Sequence, residues 1–193
     1  MNILSEIEAV KNLKNGDPLI FQTDTLPAIS CKPEYSEMIY KIKKRDKKKP
    51  LILMGSDIQQ VLSYVDSKAK DDFQKIAKKY WPGPLTLIIP ISSEKSLNFV
   101  SNENSLGIRI PKSLTAQSLI SKIGPLATSS ANISGFDPSL TAGKVTKDFP
   151  DVDILGPVPW DKCSGFGSTI ISWVNKGKWE LIRSGQIYIP EIY

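Results

Sequence analysis

Several segments of the chain place apolar residues three or four positions apart, which is the spacing of one face of a helix. The clearest example is Tyr35, Met38, Ile39 and Ile42, at i, i+3, i+4 and i+7. Comparable spacing, with turn residues at the ends, predicts six helices, over residues 3–14, 35–42, 58–65, 69–80, 113–122 and 142–145.

Two of these helices carry further expectations. In the first, Ile3, Ile7 and Val10 are expected to form the buried face. In the third, Ser56 and Gln59 resemble a capping box, which would begin the helix directly after Ser56.

Short apolar runs alternate with the helices and predict strands. They lie at residues 18–22, 51–54, 85–91, 106–110, 152–155, 169–173 and 179–182, and a polar loop is expected over residues 92–104. No long linker, internal repeat or charge-block boundary interrupts the alternation. The pattern therefore predicts one mixed α/β domain over residues 1–193, with helices packed on a single sheet.

The composition excludes several classes of chemistry. The 193 residues contain no histidine and two cysteines, Cys31 and Cys163. Ser-His-Asp and Cys-His hydrolases are excluded, as are zinc sites built from histidine or from four cysteines. The longest apolar run is too short to span a bilayer, and the N-terminus does not resemble a secretory signal. We therefore expect a cytoplasmic protein with two free thiols and no membrane association.

Positive charge is concentrated in one short stretch, which we call the basic segment 41–49. It contains Lys41, Lys43, Lys44, Arg45, Lys47, Lys48 and Lys49. Asp46 is its one acidic residue, so the segment carries +6 and the remainder of the chain carries −1. Such a cluster is typical of a site for phosphate, on a nucleotide or on RNA, although a solvated lysine-rich helix end has the same composition.

Four polar segments stand out from the apolar pattern. They are residues 23–25, 43–45, 128–135 and 165–169, and Arg183 follows the last of them. Each alone is typical of a turn or helix cap. Together they supply fixed cations, small hydroxyl donors and glycines, which indicate a site for an anionic ligand. Neither a P-loop nor a GxGxxG motif is present.

In their order along the chain, these segments resemble the YrdC-like family of threonylcarbamoyl-AMP synthases. The resemblance runs from residue 21 to residue 185 and includes WPGPLTLI at 81–88, SLGIRIP at 105–111 and SSANISG at 129–135. Leu26, Pro27 and Ala28 depart from the Val-Tyr-Gly that the family usually has after Thr-Asp/Glu-Thr. An aromatic wall of the amino-acid pocket is therefore expected to be missing or replaced. Asp46 and Ser184 stand where the family usually has prolines.

The resemblance implies a twisted mixed α/β sheet flanked by helices, with a large basic concave surface. It also implies functional residues at the matching positions. Those expected to form the catalytic set are Lys43, Arg45, Ser130 and Asn132. Those expected to bind ATP are Lys43, Arg45, Ser105, Ser130, Ser139 and Arg183. Those expected to bind threonine are Thr23, Thr25, Arg109, Thr128 and Ser168.

The implied reaction is formation of threonylcarbamoyl-adenylate and pyrophosphate from L-threonine, bicarbonate and ATP. The adenylate is the first intermediate in making N6-threonylcarbamoyladenosine on tRNA. Mg²⁺ is expected to arrive with ATP rather than in a protein cage. Transfer to tRNA is expected to need a downstream threonylcarbamoyl-transferase complex. The chain resembles the short, single-domain form of the family.

Two other functions remain open from the sequence. One is a non-catalytic module that binds tRNA or double-stranded RNA through the basic segment 41–49, and it would bind RNA in a salt-sensitive way without consuming ATP. The other is a carbamoyl-adenylate enzyme related to hydrogenase maturation factors. Those factors carry further acylphosphatase and zinc-finger modules, for which this chain has neither the length nor the cysteines.

Overall fold

The computed structural model describes residues 1–99 and 104–192, and within these ranges ten strands form one sheet. The strands are β1 (Ile3–Leu4), β2 (Leu19–Phe21), β3 (Ala28–Cys31), β4 (Ile52–Met54), β5 (Leu85–Pro90), β6 (Ser105–Arg109), β7 (Leu126–Ser130), β8 (Asp153–Leu155), β9 (Thr169–Asn175) and β10 (Lys178–Arg183). The helices are α1 (Glu6–Lys14), α2 (Glu37–Lys43), α3 (Ile58–Leu62), α4 (Lys70–Tyr80), α5 (Leu114–Ile123) and α6 (Ala142–Asp148). Short 3₁₀ turns cover Pro33–Tyr35, Ser67–Ala69 and Pro190–Ile192.

The sheet is mixed, with the strand order β1-β8-β2-β3-β7-β4-β6-β5-β9-β10. The pairs β1–β8, β2–β8, β4–β6 and β5–β9 are parallel, and the other neighbours are antiparallel. The prediction of a mixed α/β sheet flanked by helices is confirmed. No helix among the described residues is long and apolar enough to cross a bilayer.

Helices pack on both faces of the sheet, and strand residues alternate between the two resulting cores. In β7, for example, Leu126 belongs to one core and Ala127 to the other. Helices α2, α3, α4 and α6 cover the Ala127 face, where Phe73 of α4 is fully buried. Helices α1 and α5 cover the Leu126 face through residues such as Leu13 and Leu119.

The helices on the Leu126 face cover only half of the sheet. Their core includes residues of β2, β3, β4, β7 and β8, but none from the described parts of β6, β5 and β9. Beyond β4 this face is therefore open, over β6, β5 and β9, where no described helix competes with a ligand for the strands.

The predicted buried face of the first helix is wrong. Ile3 lies in β1 rather than in the helix, and Ile7 is 83% exposed. Helix α1 begins after Ser5, whose side chain forms a capping box with Glu8, and it buries Ala9 and Leu13 instead. Of the three predicted residues, only Val10 packs against the core, where it is partly buried.

Other boundaries also differ from the predictions. Helix α3 is capped by Asp57, whose carboxylate accepts from the Gln60 amide at 2.9 Å, so the predicted capping box of Ser56 and Gln59 is not formed. Strands β1, β3 and β7 were not predicted. Of the loop expected at 92–104, residues 100–103 lie outside the described residues.

The packing of α1 gives a prediction for stability. Leu13→Ala is expected to lower the free energy of unfolding by about 2–5 kcal/mol, because it leaves a cavity in a closed core. Ile7→Ala, on the same helix, is expected to change it by less than about 0.5 kcal/mol. Urea unfolding of both variants measures the difference, and equal losses would contradict the observed face of the helix.

Candidate active site

The open half of the Leu126 face forms a cavity of about 310 Å³. Five neighbouring strands, β7-β4-β6-β5-β9, contribute alternate residues to it. These residues are Thr128, Ser130, Ile52, Met54, Ser105, Gly107, Arg109, Thr86, Ile88 and Ile170. The residues between them, such as Leu53, Leu87 and Ile108, belong to the core on the other face. The alternation of side chains along these strands therefore places a closed core on one face of the sheet and an open site on the other.

The register of the strands arranges the cavity in three parts. Ser130 and Ser105 lie towards one end, which we call the serine end. Arg109 and Thr86 lie towards the other, which we call the arginine end. Between the two ends, Gly107 is paired with isoleucines on both neighbouring strands. The cavity thus has two polar ends and a largely apolar middle.

Arg109 is held at the arginine end by three hydrogen bonds. Its Nη2 forms an ion pair with Asp24 Oδ1 at 2.7 Å, its Nη1 donates to Thr25 Oγ1 at 2.6 Å, and its Nε donates to the Gly83 carbonyl at 3.1 Å. Burial lowers the pKa of Arg109, and the Asp24 carboxylate acts in the opposite direction. Thr23 supports this arrangement from behind, with its Oγ1 3.1 Å from Thr25 Oγ1.

A second hydrogen-bonded chain meets the cavity beside Arg109. Arg183 donates from Nη2 to the Ser168 carbonyl at 2.9 Å and to Ser168 Oγ at 3.3 Å. Ser168 Oγ lies 2.8 Å from Thr86 Oγ1, and both hydroxyls are buried. Arg183 and Arg109 both line the cavity. Burial is the main cause of the lowered pKa of Arg109, and the charge of Arg183 adds to it.

Arg45 and Ser130 form the serine end. Arg45 donates from Nε to the Lys49 carbonyl at 3.1 Å and from Nη2 to the Pro50 carbonyl at 3.0 Å. Ser130 Oγ donates to Asn132 Oδ1 at 2.6 Å. The guanidinium is therefore fixed by the turn that follows α2, and the hydroxyl by the turn that follows β7.

The cavity carries uncompensated positive charge. Arg109 is paired with Asp24, but no carboxylate among the described residues forms an ion pair with Arg45 or Arg183. Burial lowers the pKa of both guanidiniums, yet arginine remains charged at neutral pH. Two fixed cations at opposite ends of one cavity favour a ligand, or a pair of ligands, with negative charge.

Lys43 lies on the other face of the sheet and does not line the cavity. It is buried, and its Nζ donates to Ser129 Oγ at 2.8 Å and to the Ser130 carbonyl. Burial and, to a smaller extent, the charge of Arg45 lower its pKa from 10.5 to about 7. Lys43 thus connects the end of α2 to the end of β7, between the two residues that form the serine end.

The structure brings together most of the site residues expected from the sequence. Eight of the twelve line the cavity: Thr25, Arg45, Ser105, Arg109, Thr128, Ser130, Ser168 and Arg183. Three others contact them indirectly or from behind: Thr23, Lys43 and Asn132. Ser139 does not line the cavity, and its hydroxyl donates to Asp148 instead. Their roles in binding and catalysis remain predictions.

Several lining residues were not singled out from the sequence. Thr86 and Gly107 are polar or small positions within otherwise apolar strands, and the two-residue period of those strands was the signal that could have found them. Asp24 does not line the cavity but pairs with Arg109, which does; it belongs to a polar segment that was recognised, but the pairing spans 85 residues. Ser129 is next to a predicted residue and faces Lys43. Leu26 and Ala28, from the segment that departs from the family pattern, also line the cavity.

Comparison with known proteins identifies the family. The model of the Sua5/YciO/YrdC family, described as "Telomere recombination", matches residues 11–185. The chain therefore belongs to this family. No group of three or more histidine, cysteine, aspartate or glutamate residues that could hold a metal occurs in the described part of the chain.

Individual relatives agree with this assignment. A threonylcarbamoyl-AMP synthase of Aliivibrio fischeri is 27% identical over 153 residues, which cover 77% of this chain and 83% of the relative. A variant of Sua5 from P. abyssi has a TM-score of 0.87 and 26% identity, over 97% of this chain and 58% of Sua5. E. coli YciO shares the fold, with a TM-score of 0.82 and 19% identity over 97% of this chain and 92% of its own. This chain thus spans somewhat more than half of the Sua5 chain.

The lowered pKa of Lys43 gives a prediction for the pH dependence of stability. Because the folded pKa is below the unfolded one, the unfolded chain binds more protons between pH 7 and 10.5. The free energy of unfolding of the wild type, relative to that of Lys43→Met, should therefore rise with pH across this range, by at most about 1.4 kcal/mol per pH unit. Urea unfolding of the wild type and of Lys43→Met at several pH values measures this difference.

Lys48→Met is the matched control, since Lys48 is exposed and belongs to the same segment. The difference in the free energy of unfolding between Lys48→Met and the wild type should not rise with pH in this way. A constant difference between the wild type and Lys43→Met would show that Lys43 keeps an ordinary pKa in the folded protein.

Proposed function

We propose that this chain is an L-threonylcarbamoyladenylate synthase, an enzyme of the nucleotidyltransferase class. Its substrates are L-threonine, bicarbonate and ATP, and its products are threonylcarbamoyl-adenylate and pyrophosphate. The adenylate serves the threonylcarbamoyladenosine modification of tRNA. The observation that carries the proposal is the cavity with a fixed, unpaired guanidinium at each end, in a member of a family whose relatives include a threonylcarbamoyl-AMP synthase.

The reaction has two chemical steps. The amine of threonine attacks bicarbonate, which forms a carbamate and releases water. An oxygen of the carbamate then attacks the α-phosphorus of ATP, the bond from that phosphorus to the bridging oxygen breaks, and pyrophosphate leaves with the bonding electrons. No covalent intermediate with the protein is needed, so the protein acts by positioning the substrates and stabilising negative charge.

The two ends of the cavity divide these tasks. At the serine end, Arg45 contacts the phosphates of ATP, and Ser130 can donate to them once its hydroxyl turns away from Asn132, which holds it in place. At the arginine end, Arg109, Thr25 and Ser168 bind threonine. Thr128, which lies level with Gly107 in the middle of the cavity, completes this set. The charge of Arg109 is partly offset by Asp24. The unpaired Arg183 therefore supplies additional positive charge that attracts the carboxylate of threonine.

Magnesium enters this scheme with ATP. Mg²⁺ keeps several waters and binds through phosphates and one or two carboxylates rather than through an all-protein cage. The carboxylate of Asp24, at the arginine end, already pairs with Arg109 and accepts a hydrogen bond from the Lys112 amide. Phosphate oxygens of ATP would therefore hold the ion, which would supply positive charge against the phosphates.

The remaining partners concern RNA. Lys41, Lys44, Lys47, Lys48 and Lys49 are exposed, whereas Lys43 is buried. We propose that these exposed lysines contact tRNA phosphates and that a separate threonylcarbamoyl-transferase complex in the cytoplasm receives the adenylate. A purely RNA-binding module is less well supported, because it needs neither the buried Thr86–Ser168 pair nor the fixed Arg109.

The function is tested by incubating the protein with ATP, Mg²⁺, bicarbonate and single amino acids, and following pyrophosphate release with prompt mass spectrometry of the products. Release that requires both threonine and bicarbonate, with the mass of threonylcarbamoyl-adenylate, is expected. No release with any amino acid, together with salt-sensitive RNA binding, would favour the RNA-binding alternative.

The same assay tests the serine end. Arg45→Ala is expected to lower kcat/KM for ATP by about 10²–10³-fold, because it removes a fixed donor at developing negative charge. Lys48→Ala, from the same basic segment but exposed, should leave adenylate formation nearly unchanged. Similar losses in both variants would mean that the segment acts through its overall charge rather than through Arg45.

A further inference from the structure

Gly107 is at the centre of the apolar middle of the cavity. In the sheet it is paired with Ile52 of β4 on one side and with Ile88 of β5 on the other, and all three residues line the cavity. An isoleucine, a glycine and an isoleucine thus lie side by side across three strands. The floor of the cavity therefore has no side chain at Gly107, which is itself buried between its neighbours.

The fold does not require glycine at this position. A Cβ placed on Gly107 lies 3.6 Å from Ile52 Cγ1 and 3.6 Å from Thr86 Cγ2, which are ordinary van der Waals distances. Its φ is not in the left-handed region that favours glycine. Glycine in the interior of a strand weakens the strand, and it is found where a ligand approaches the backbone closely. A ligand in the cavity, rather than the packing of the protein, therefore accounts for a glycine at position 107.

The position of Gly107 is midway between the two polar ends. Ser105 and Arg109 are four residues apart on β6, a separation of about 13 Å at ~3.3 Å per residue, with Gly107 half-way. The unpaired guanidiniums belong to opposite ends, Arg45 with the serine end and Arg183 with the arginine end. If ATP and the carbamate of threonine are held at these two ends, the carbamate oxygen and the α-phosphorus must meet over the middle of the cavity.

We propose that Gly107 marks the point where the carbamate of threonine meets the α-phosphorus of ATP. This inference rests on the proposed function. Each substrate is held by its own end of the cavity, and the missing side chain provides the space in which the carbamate oxygen approaches the phosphorus. Ile52 and Ile88 flank this point with apolar surface, which limits the access of water to the mixed anhydride that forms there. Gly107 is thus a positioning residue for the encounter of the two substrates.

The inference makes an unusual prediction about binding. A side chain at residue 107 should leave the binding of either substrate alone almost unchanged, because it only reaches van der Waals contact with Thr86 of the arginine end and touches none of the polar atoms at either end. It should instead prevent the two substrates from occupying the cavity together in the reactive arrangement. Loss of turnover without loss of separate binding distinguishes this role from a role in holding the adenine ring, for which ATP binding itself would weaken.

The test uses Gly107→Ala and Gly107→Val, with Gly143→Ala as the control. Valine suits a strand interior, so thermal unfolding should show an intact fold. A Cβ at Gly143, on α6, meets nothing within 4 Å, and that variant should behave as wild type. Titration calorimetry measures the binding of threonine alone, of α,β-methylene-ATP alone, and of each in the presence of the other. Single-turnover assays measure adenylate formation.

In Gly107→Val, each ligand is expected to bind alone as in the wild type, but the two ligands should compete with each other. Adenylate formation should be about 100-fold slower. Gly107→Ala should show a smaller effect. A weaker affinity for the ATP analogue alone, increasing with side-chain size, would place the adenine over residue 107 and overturn the inference. Turnover and joint binding that match the wild type in Gly107→Val would also overturn it. If the wild type forms no adenylate, the proposed function fails, while the joint-binding titrations still decide the role of Gly107.

Discussion

The alternation of side chains along five neighbouring strands is the constraint on which the rest of this structure depends. In β7, β4, β6, β5 and β9, one set of alternate residues fills a closed apolar core under α2, α3, α4 and α6, and the other set lines an open cavity. Helices α1 and α5 cover only the β8-β2-β3-β7-β4 part of the cavity face. The same strands are therefore rigid on one side and available to ligands on the other, which is the arrangement that holds functional groups at fixed distances.

The electrostatics of the cavity follow from this construction. Arg109 is buried within the sheet and needs a partner, which Asp24 supplies from the loop between β2 and β3. Arg45 and Arg183 come from the margins of the sheet, where backbone carbonyls hold them without neutralising their charge. A buried ion pair therefore fixes Arg109 at the arginine end, and two unpaired cations, Arg45 and Arg183, provide the attraction for anionic substrates. Lys43, although part of the most basic segment of the chain, is buried on the far side and connects α2 to β7.

The sequence predicted the α/β class, most of the helices and most of the cavity residues, because periodicity and short polar segments are local signals. Helix α4 ends at Tyr80, where the prediction placed it. Strand β3 was not predicted because its four residues, although all buried in the sheet, follow a polar loop and show no alternation. Which lysine of the basic segment is buried, and which carboxylate pairs with Arg109, depend on contacts between distant parts of the chain. Neither could be obtained from spacing along the sequence.

The central claim is that the open face of the sheet is a two-substrate site with phosphate at the serine end and threonine at the arginine end. A crystal structure with α,β-methylene-ATP and L-threonine tests it most directly. The account predicts phosphates beside Arg45 and Ser130, threonine beside Arg109 and Ser168, and an empty space over Gly107 between the threonine nitrogen and the α-phosphorus. A triphosphate bound outside the cavity, along the exposed lysines of the basic segment 41–49, would contradict it.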